Sequence, residues 1–137
     1  MANESDIRRG RHCVLKLHVH LVFVTKYRGA VFDSEAIETL RAVFSDICVD
    51  FEATLIEMDG EHDHVHLLVE YPPKVSVSHL VNSLKGVSSR LLRKERPDIR
   101  KRYWKGRLWS PSYFAASCGG APISIVRQYI EQQQTPP

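Results

Sequence analysis

Two histidines separated by a single residue, His64 and His66, are the first candidates for chemistry in this chain. They lie among valines and leucines whose alternating pattern predicts a strand, and alternate side chains of a strand share one face about 6.5 Å apart. Two imidazoles at that spacing can turn toward one metal ion. A second pair with the same spacing, His18 and His20, lies in another predicted strand, so spacing alone leaves open which pair binds metal and whether either does.

A tyrosine and a glutamine near the end of the sequence form the second candidate. Tyr129 and Gln133 are four residues apart, so they share one face of a predicted helix. The same helix carries a neighbouring apolar stripe of Ile123, Val126 and Ile130 that can hold it against the rest of the protein. A tyrosine at this position can simply pack against the protein as part of an amphipathic helix. Spacing alone does not distinguish that structural role from a chemical one.

Charge is unevenly divided along the chain, although the formal net charge is only +3. Acidic residues dominate positions 33–70, and basic residues dominate positions 85–107. A positive face suits a polyanion such as nucleic acid, and Tyr103, Trp104 and Trp109 could offer bases a stacking surface. A solvated helix face followed by a basic loop is the plainer interpretation. The candidate phosphate contacts are Arg8, Arg9, Arg11, Lys85, Arg90, Arg93, Lys94, Arg100, Lys101, Arg102, Lys105 and Arg107.

The elements that must position these residues follow the order β-α-β-β-α-β-α. Alternating or aliphatic patterns predict four strands, over residues 14–25, 53–58, 64–71 and 108–117. Helical spacing predicts three helices: from Asp33 or Ser34 to residue 51, from Ser76 or Ser78 to a point before Pro97, and from Pro122 to about residue 134. Asp59-Gly60 predicts a turn, and a polar, aromatic loop is expected after the second helix. This order predicts an α+β, ferredoxin-like (split βαβ) sandwich with a central antiparallel sheet and an extra C-terminal helix that carries the tyrosine.

Length and composition narrow the class of protein. The chain of 137 residues fits one domain, residues 1–137, with flexible ends at about 1–10 and 135–137. Its hydrophobic content of 43% and charged content of 26% are typical of a globular protein and exclude a disordered or fibrous one. No apolar run reaches the roughly 20 residues that a membrane helix needs. Three cysteines cannot all pair, which favours a reducing cytoplasm.

Four motifs in a fixed order resemble the small single-tyrosine transposases of the HUH superfamily, which move insertion sequences as single-stranded DNA. The motifs are Thr25–Arg28 (TKYR), Asp63–Leu68 (DHVHLL), Leu108–Tyr113 (LWSPSY) and Arg127–Gln133 (RQYIEQQ). Each motif is loose by itself, but their joint order and spacing are specific. The resemblance covers the sequence from about Arg11 to Gln133.

The resemblance implies roles for the candidate residues. His64 and His66 would be metal ligands, Tyr129 the nucleophile and Gln133 the third protein ligand, which leaves His18 and His20 with structural roles or positions near the DNA. It also implies a divalent metal, with Mg²⁺ expected and Mn²⁺ compatible with a mixed nitrogen and oxygen ligand set. No nucleotide cofactor is needed, because a covalent phosphotyrosine conserves the energy of the broken bond.

The activity implied is a metal-dependent single-strand DNA endonuclease and strand transferase. It would cut and rejoin insertion-sequence ends through a 5′-phosphotyrosine intermediate and recognise DNA hairpins. The implied partners are hairpin-bearing single-stranded DNA and a second subunit, in a homodimer whose active sites are shared; no membrane is involved. The expected location is the cytoplasm of a bacterium or archaeon, close to the nucleoid. The alternative is a catalytically inactive or domesticated relative that binds hairpin DNA.

Overall fold

Four strands build one antiparallel sheet in the computed structural model, which describes residues 15–117 and 123–133, and only the backbone of 123–127. The strands are β1 (Leu17–Val24), β2 (Thr54–Gly60), β3 (His64–Tyr71) and β4 (Phe114–Ser117). They lie in the order β2-β3-β1-β4, and every neighbouring pair is antiparallel. The order confirms the ferredoxin-like fold predicted from the sequence. The ends predicted to be flexible lie outside the described residues.

The helices begin where the sequence offers a side-chain cap. Helix α1 (Ser34–Asp50) begins after Asp33, whose carboxylate accepts the backbone N–H of Ala36 at 2.8 Å. Helix α2 (Val77–Glu95) begins after Ser76, whose hydroxyl accepts a backbone N–H in the first turn. A short helix, α3 (Pro97–Arg102), follows α2, and α4 (Ile123–Gln132) carries Tyr129. None of the helices in the described parts of the chain is long and apolar enough to cross a membrane.

The core lies between one face of the sheet and helices α1 and α2. Phe23 of β1 is fully buried and meets Phe44 of α1 and the indole of Trp109 edge-on, with ring centroids 5.9 and 5.7 Å apart. Val65 and Leu67 of β3 are fully buried as well. Because strand side chains alternate, their neighbours His64 and His66 point to the opposite face of the sheet. The fold thus fixes the histidines on a face away from the helical core.

Three sequence predictions need correction. Asp59-Gly60 was predicted to be a turn, but both residues extend β2, since they pair with β3. The loop expected after Pro97 instead starts with helix α3, because proline fits the first turn of a helix. The fourth strand is much shorter than residues 108–117: only β4 joins the sheet, while Trp109 makes an isolated bridge. Pro111 has no N–H for a strand ladder, so pairing is interrupted there.

Candidate active site

All four strand histidines face the same side of the sheet. In the β1–β3 register His66 lies opposite Val22 and His64 opposite Val24, so this face is shared by His18 and His20. His20 Nδ1 lies 3.0 Å from His66 Nε2, and the two rings stack with centroids 5.1 Å apart. The two pairs predicted from the sequence therefore lie on one face and meet where His20 contacts His66; the four residues are here called the histidine cluster.

The histidines of β1 differ in their partners. His18 Nε2 lies 3.0 Å from a carboxylate oxygen of Glu70, its opposite residue on β3. His20 contacts His66 instead, and one of the two facing nitrogens must carry the shared proton. Burial and the neighbouring His20 lower the pKa of His66, which favours the neutral imidazole that a metal requires. A ligand that binds His66 at Nε2 must displace its contact with His20.

His64 is oriented by a buried carboxylate. Asp63 is only 3% exposed. Its carboxylate accepts Nδ1–H of His64 at 2.8 Å and Nε–H of Arg28 at 2.7 Å. Burial raises the pKa of Asp63, but the hydrogen bonds from His64 and Arg28 outweigh it and hold that pKa below its ordinary value. An imidazole that donates through Nδ1 keeps its lone pair on Nε2, so Asp63 fixes which nitrogen of His64 can bind a ligand.

The turn after β1 brings Arg28 to Asp63. The hydroxyl of Thr25 donates to the backbone oxygens of Gly29 at 2.8 Å and Asp63 at 3.1 Å. Tyr27 and Arg28 both have positive φ, 58° and 55°, a conformation that costs a residue with a side chain about 1–2 kcal/mol. Strain held in place by buried hydrogen bonds is typical of functional segments. Asp63 and Arg28 had no predicted role, although both stand within the motifs that carry the family resemblance.

Tyr129 and Gln133 meet the loop before β4. Ser112 Oγ lies 2.9 Å from the hydroxyl of Tyr129 and donates to Gln133 Oε1 at 3.3 Å. Ser110 donates a second hydrogen bond to the same amide oxygen. Burial raises the pKa of Tyr129, and the hydrogen bond with Ser112 offsets this only in part. The phenol, whose pKa is about 10 even when unperturbed, therefore keeps its proton at neutral pH.

Lys85 of α2 holds this loop in place. Its Nζ donates to the backbone oxygens of Ser110, Pro111 and Ser112 at 2.7, 3.3 and 3.0 Å. Burial lowers the pKa of Lys85 to about 8, so the ammonium keeps its three donors at neutral pH. Lys85 was predicted from the sequence to contact phosphate; the structure gives its ammonium an internal role that the sequence did not indicate.

The tyrosine and the histidines lie over one face of the sheet but do not share a hydrogen bond. The ring centroid of Tyr129 is 5.8 Å from that of Phe114. Phe114 lies on β4, directly opposite Val22 of β1. His66 lies opposite Val22 from the other side, so Phe114 and His66 are two strand spacings, about 9–10 Å, apart. The structure thus brings Tyr129 together with Gln133, and His66 with His20, as two neighbouring groups.

A metal site that used His64, His66 and Gln133 as its ligands would need both groups. Within residues 15–117 and 123–133, no cluster of three or more His, Cys, Asp or Glu side chains could hold an ion. His64 and His66 offer two imidazoles, and the amide oxygen of Gln133 is a suitable third donor, since Mn²⁺ and Mg²⁺ accept oxygen ligands. The donor types fit such an ion, provided that Gln133 leaves its serine partners.

Most of the predicted phosphate contacts are exposed. Arg93 donates to the hydroxyl of Ser89, whereas the exposed set comprises Arg90, Lys94, Arg100, Lys101, Arg102, Lys105 and Arg107. The other predicted contacts, Arg8, Arg9 and Arg11, lie outside the described residues. A positive surface of this extent along α2, α3 and the following loop suits a polyanion.

Comparison with known proteins decides the family. A family model described as IS200-like transposase matches residues 13–133. The chain belongs to this family. It is 32% identical to the ISDra2 transposase TnpA of Deinococcus radiodurans over 128 residues, 93% of this chain and 91% of that protein. It is also 32% identical to the transposase for insertion sequence element IS200 of Salmonella typhimurium over 114 residues, 83% of this chain and 74% of that protein.

Solved structures give the same result for the fold. A crystal structure of a Deinococcus radiodurans R1 protein assigned as a transposase matches with a TM-score of 0.81 and 32% identity, covering 92% of this chain and 97% of that one. A REP-associated tyrosine transposase bound to a REP hairpin shares the fold at 11% identity, with a TM-score of 0.54 and coverage of 96% and 69%. The resemblance drawn from the sequence motifs is confirmed. Membership of a transposase family implies an enzyme that cleaves DNA and transfers strands.

Proposed function

We propose that this transposase cleaves and rejoins single-stranded DNA at the ends of an insertion element, with Tyr129 as its nucleophile. His64, His66 and Gln133 would hold the divalent metal. The observation that carries the proposal is the single sheet face that presents both His66 and, about two strands away, the tyrosine on α4. A protein that only binds DNA has no need of this combination.

The proposed reaction is a transesterification. The phenolate oxygen of Tyr129 forms a bond to the scissile phosphorus, and the bond from phosphorus to the 3′ oxygen breaks. The leaving oxygen takes a proton and becomes a 3′-hydroxyl, while the 5′ end stays on the enzyme as a phosphotyrosine. Attack by another 3′-hydroxyl reverses the step and rejoins the strand, so no nucleotide cofactor is consumed.

The side chains of this site must rearrange before that step. The hydroxyl of Tyr129 is protonated and held by Ser112, and the amide oxygen of Gln133 is held by two serines. We infer that DNA draws both residues away from the serine loop and toward the histidines. In a homodimer, which is part of this proposal, α4 of one subunit would reach the histidines of the other.

Each histidine has a distinct role in this scheme. His64 would present Nε2 to the metal, because Asp63 fixes its other nitrogen. His66 would exchange its contact with His20 for the metal. Mg²⁺, or Mn²⁺ in its place, would polarise the phosphate oxygens and stabilise the charge that develops on them.

The proposed substrate is single-stranded DNA that carries a hairpin. The same fold is bound to a REP hairpin in one solved structure, and this chain exposes a row of cations along α2, α3 and the loop that follows. Such cations position a phosphate backbone without reading its sequence. Affinity should fall steeply with salt, because bound phosphates release counterions.

An adduct assay tests the nucleophile. A hairpin-bearing oligonucleotide labelled on either its 5′ or its 3′ side is incubated with protein and Mn²⁺ and separated in denaturing detergent. Only the 3′-side label should shift with the protein, because Tyr129 keeps the 5′ phosphate. Tyr129→Phe should remove this adduct, whereas Tyr113→Phe should retain it.

Three outcomes would contradict the proposal. An adduct that persists in Tyr129→Phe places the nucleophile elsewhere. An adduct carrying the 5′-side label reverses the polarity. Hairpin binding with no adduct in the unaltered protein favours the inactive or domesticated relative that the sequence left open.

A further inference from the structure

We propose that a pocket beside the turn Lys26–Arg28, here called the turn pocket, binds one unpaired nucleotide of the DNA strand. The base would stack on Trp104, and the cations around it would bind the phosphate. This inference rests on the proposed function for the identity of its ligand as DNA. The turn pocket is lined by Lys26, Tyr27, Arg102, Trp104, Lys105 and Arg107, with Tyr103 as its floor.

The composition of the turn pocket selects an anion with a flat, apolar part. Its volume is about 300 Å³, at the lower end of the range for small-ligand sites. Four of its residues are cationic, and none of the described lining residues is acidic. The same lining contains two exposed aromatic rings. A nucleotide has both the charge and the planar ring that such a lining accommodates.

The aromatic rings are presented to solvent rather than packed. Trp104 is 73% exposed and Tyr27 is 50% exposed. The ammonium of Lys105 lies 5.3 Å from the ring centroid of Trp104, and that of Lys26 lies 5.4 Å from the ring centroid of Tyr27. Each lysine can occupy one face of its ring, which leaves the rest of the indole surface for a base. A large exposed indole among cations is the arrangement that binds unpaired bases without regard to sequence.

Hydrogen bonds fix the floor of the turn pocket to the turn above it. The hydroxyl of the buried Tyr103 donates to the backbone oxygen of Lys26 at 3.0 Å, and the backbone N–H of Lys26 donates to Leu108 at 2.8 Å. Gly29 completes the contact, because a Cβ there would lie 2.2 Å from the Tyr103 hydroxyl. A preorganised floor spares the ligand the cost of ordering the turn.

The turn pocket and the histidine cluster are linked through three residues of backbone. The turn that supplies Lys26 and Tyr27 to the pocket also supplies Arg28 to Asp63, the partner of His64. Val24, two residues before the turn, lies directly opposite His64. Because the pocket and the partner of His64 share this turn, we place the nucleotide in the same strand as the scissile phosphate of the proposed reaction.

The two tryptophans make this testable in the full chain. Trp109 is 4% exposed and donates to Ser88 at 3.0 Å, so stacking should quench only Trp104. The protein carries Tyr129→Phe to prevent cleavage and is titrated with single-stranded oligonucleotides, one intact and others with an abasic site moved along the strand. We expect one abasic position to abolish quenching and to weaken binding roughly 5- to 100-fold.

A variant of Trp104 completes a double-mutant cycle between the protein and the oligonucleotide. Trp104→Ala, at an exposed position that leaves the core intact, should weaken binding of the intact oligonucleotide by the same factor and leave binding of that abasic oligonucleotide unchanged. Lys94→Ala, an exposed cation outside the turn pocket, should weaken both oligonucleotides equally. If Trp104→Ala weakens binding of the intact and the abasic oligonucleotide equally, or weakens neither, the proposed role of the turn pocket is wrong, although the protein still binds DNA. No binding of any oligonucleotide would overturn the proposed function and the pocket together.

Discussion

Replacing Asp63 by asparagine tests whether the carboxylate orients His64, because the substitution keeps the shape of the side chain and changes its hydrogen bonding. Asparagine has the same outline but carries an NH₂ donor where the second carboxylate oxygen stood. That donor must face either Nδ1–H of His64 or Nε–H of Arg28, which the carboxylate accepts at 2.8 and 2.7 Å. One of the two hydrogen bonds is therefore lost, and a buried donor faces another donor.

The magnitude follows from these contacts. Hydrogen bonds that involve a charged group contribute about 1.5–3 kcal/mol each. The side chain of Arg28 is 28% exposed, so water recovers part of its loss, and we expect the free energy of unfolding to fall by about 1.5–2 kcal/mol. Loss of the carboxylate partner of a ligating histidine weakens metal binding by about 10- to 100-fold.

Two measurements on Asp63→Asn check this. Urea unfolding gives the free energy of unfolding, and calorimetric titration with Mn²⁺ gives the metal affinity. Asp33→Asn is the matched control, because Asp33 also pairs with an arginine, Arg96, at 2.8 Å, while no hydrogen bond or ion pair joins it to a histidine in the described part of the chain. The control should leave Mn²⁺ affinity unchanged. If Asp63→Asn lowers stability but keeps the Mn²⁺ affinity, the carboxylate is structural only and the reasoning fails.

Three further predictions concern the framework of the site. Gly29→Ala should lower the free energy of unfolding by about 1–3 kcal/mol, because the added Cβ would meet the hydroxyl of the buried Tyr103. Gly86→Ala should raise it by about 0.5–1 kcal/mol, because Gly86 lies in the middle of α2 with open space around it. Thermal melts compare the two variants. The hydrogen bond from Arg96 holds the pKa of Asp33 at about 2, below its ordinary value of 3.8, so the stability this carboxylate adds is complete above about pH 4 and lost as pH falls toward 2. Urea unfolding of Asp33→Asn and the unaltered protein should therefore differ at pH 7 and converge near pH 2, and a constant difference would refute this. Lys85→Met should lower the melting temperature, since three carbonyl oxygens lose their donor, and an unchanged melting temperature would show that the loop holds itself.

Local patterns predicted the elements well where local physics decides them. Strand β3 was predicted with its observed bounds, because every second residue from Val65 to Tyr71 is apolar and Pro72 ends the pattern. The caps of α1 and α2 were each narrowed to two residues, since the polar residue just before a helical pattern is the usual cap. The antiparallel order of the strands then followed from the order of the elements.

Features that depend on tertiary contacts could not be predicted from the sequence. Arg28 and Asp63 are 35 positions apart, and only the folded turn brings them together. The same holds for Lys85, whose carbonyl partners begin 25 positions further on. Nothing in the local pattern distinguishes a lysine that will be enclosed by carbonyls from one that contacts phosphate. The shortness of β4 likewise follows from interrupted pairing, not from its own composition.

The site itself was predicted in its residue types but not in its arrangement. The spacing of His64 and His66 predicted their shared face, and the structure adds that His20 contacts Nε2 of His66. The spacing of Tyr129 and Gln133 gave their shared helix face, and the structure adds the serine hydroxyls that hold them. Whether these side chains act as a nucleophile and metal ligands remains the prediction made above.

Mass spectrometry of the protein–DNA adduct tests that prediction most directly. After incubation with the hairpin oligonucleotide and Mn²⁺, nuclease and protease digestion should leave a nucleotide joined through its 5′ phosphate to the peptide that contains Tyr129. The modified peptide should be missing without metal and from the double variant His64→Ala, His66→Ala, but present in His18→Ala. A nucleotide on any other residue, or equal adduct without metal, would contradict a metal-dependent tyrosine nucleophile on this sheet face.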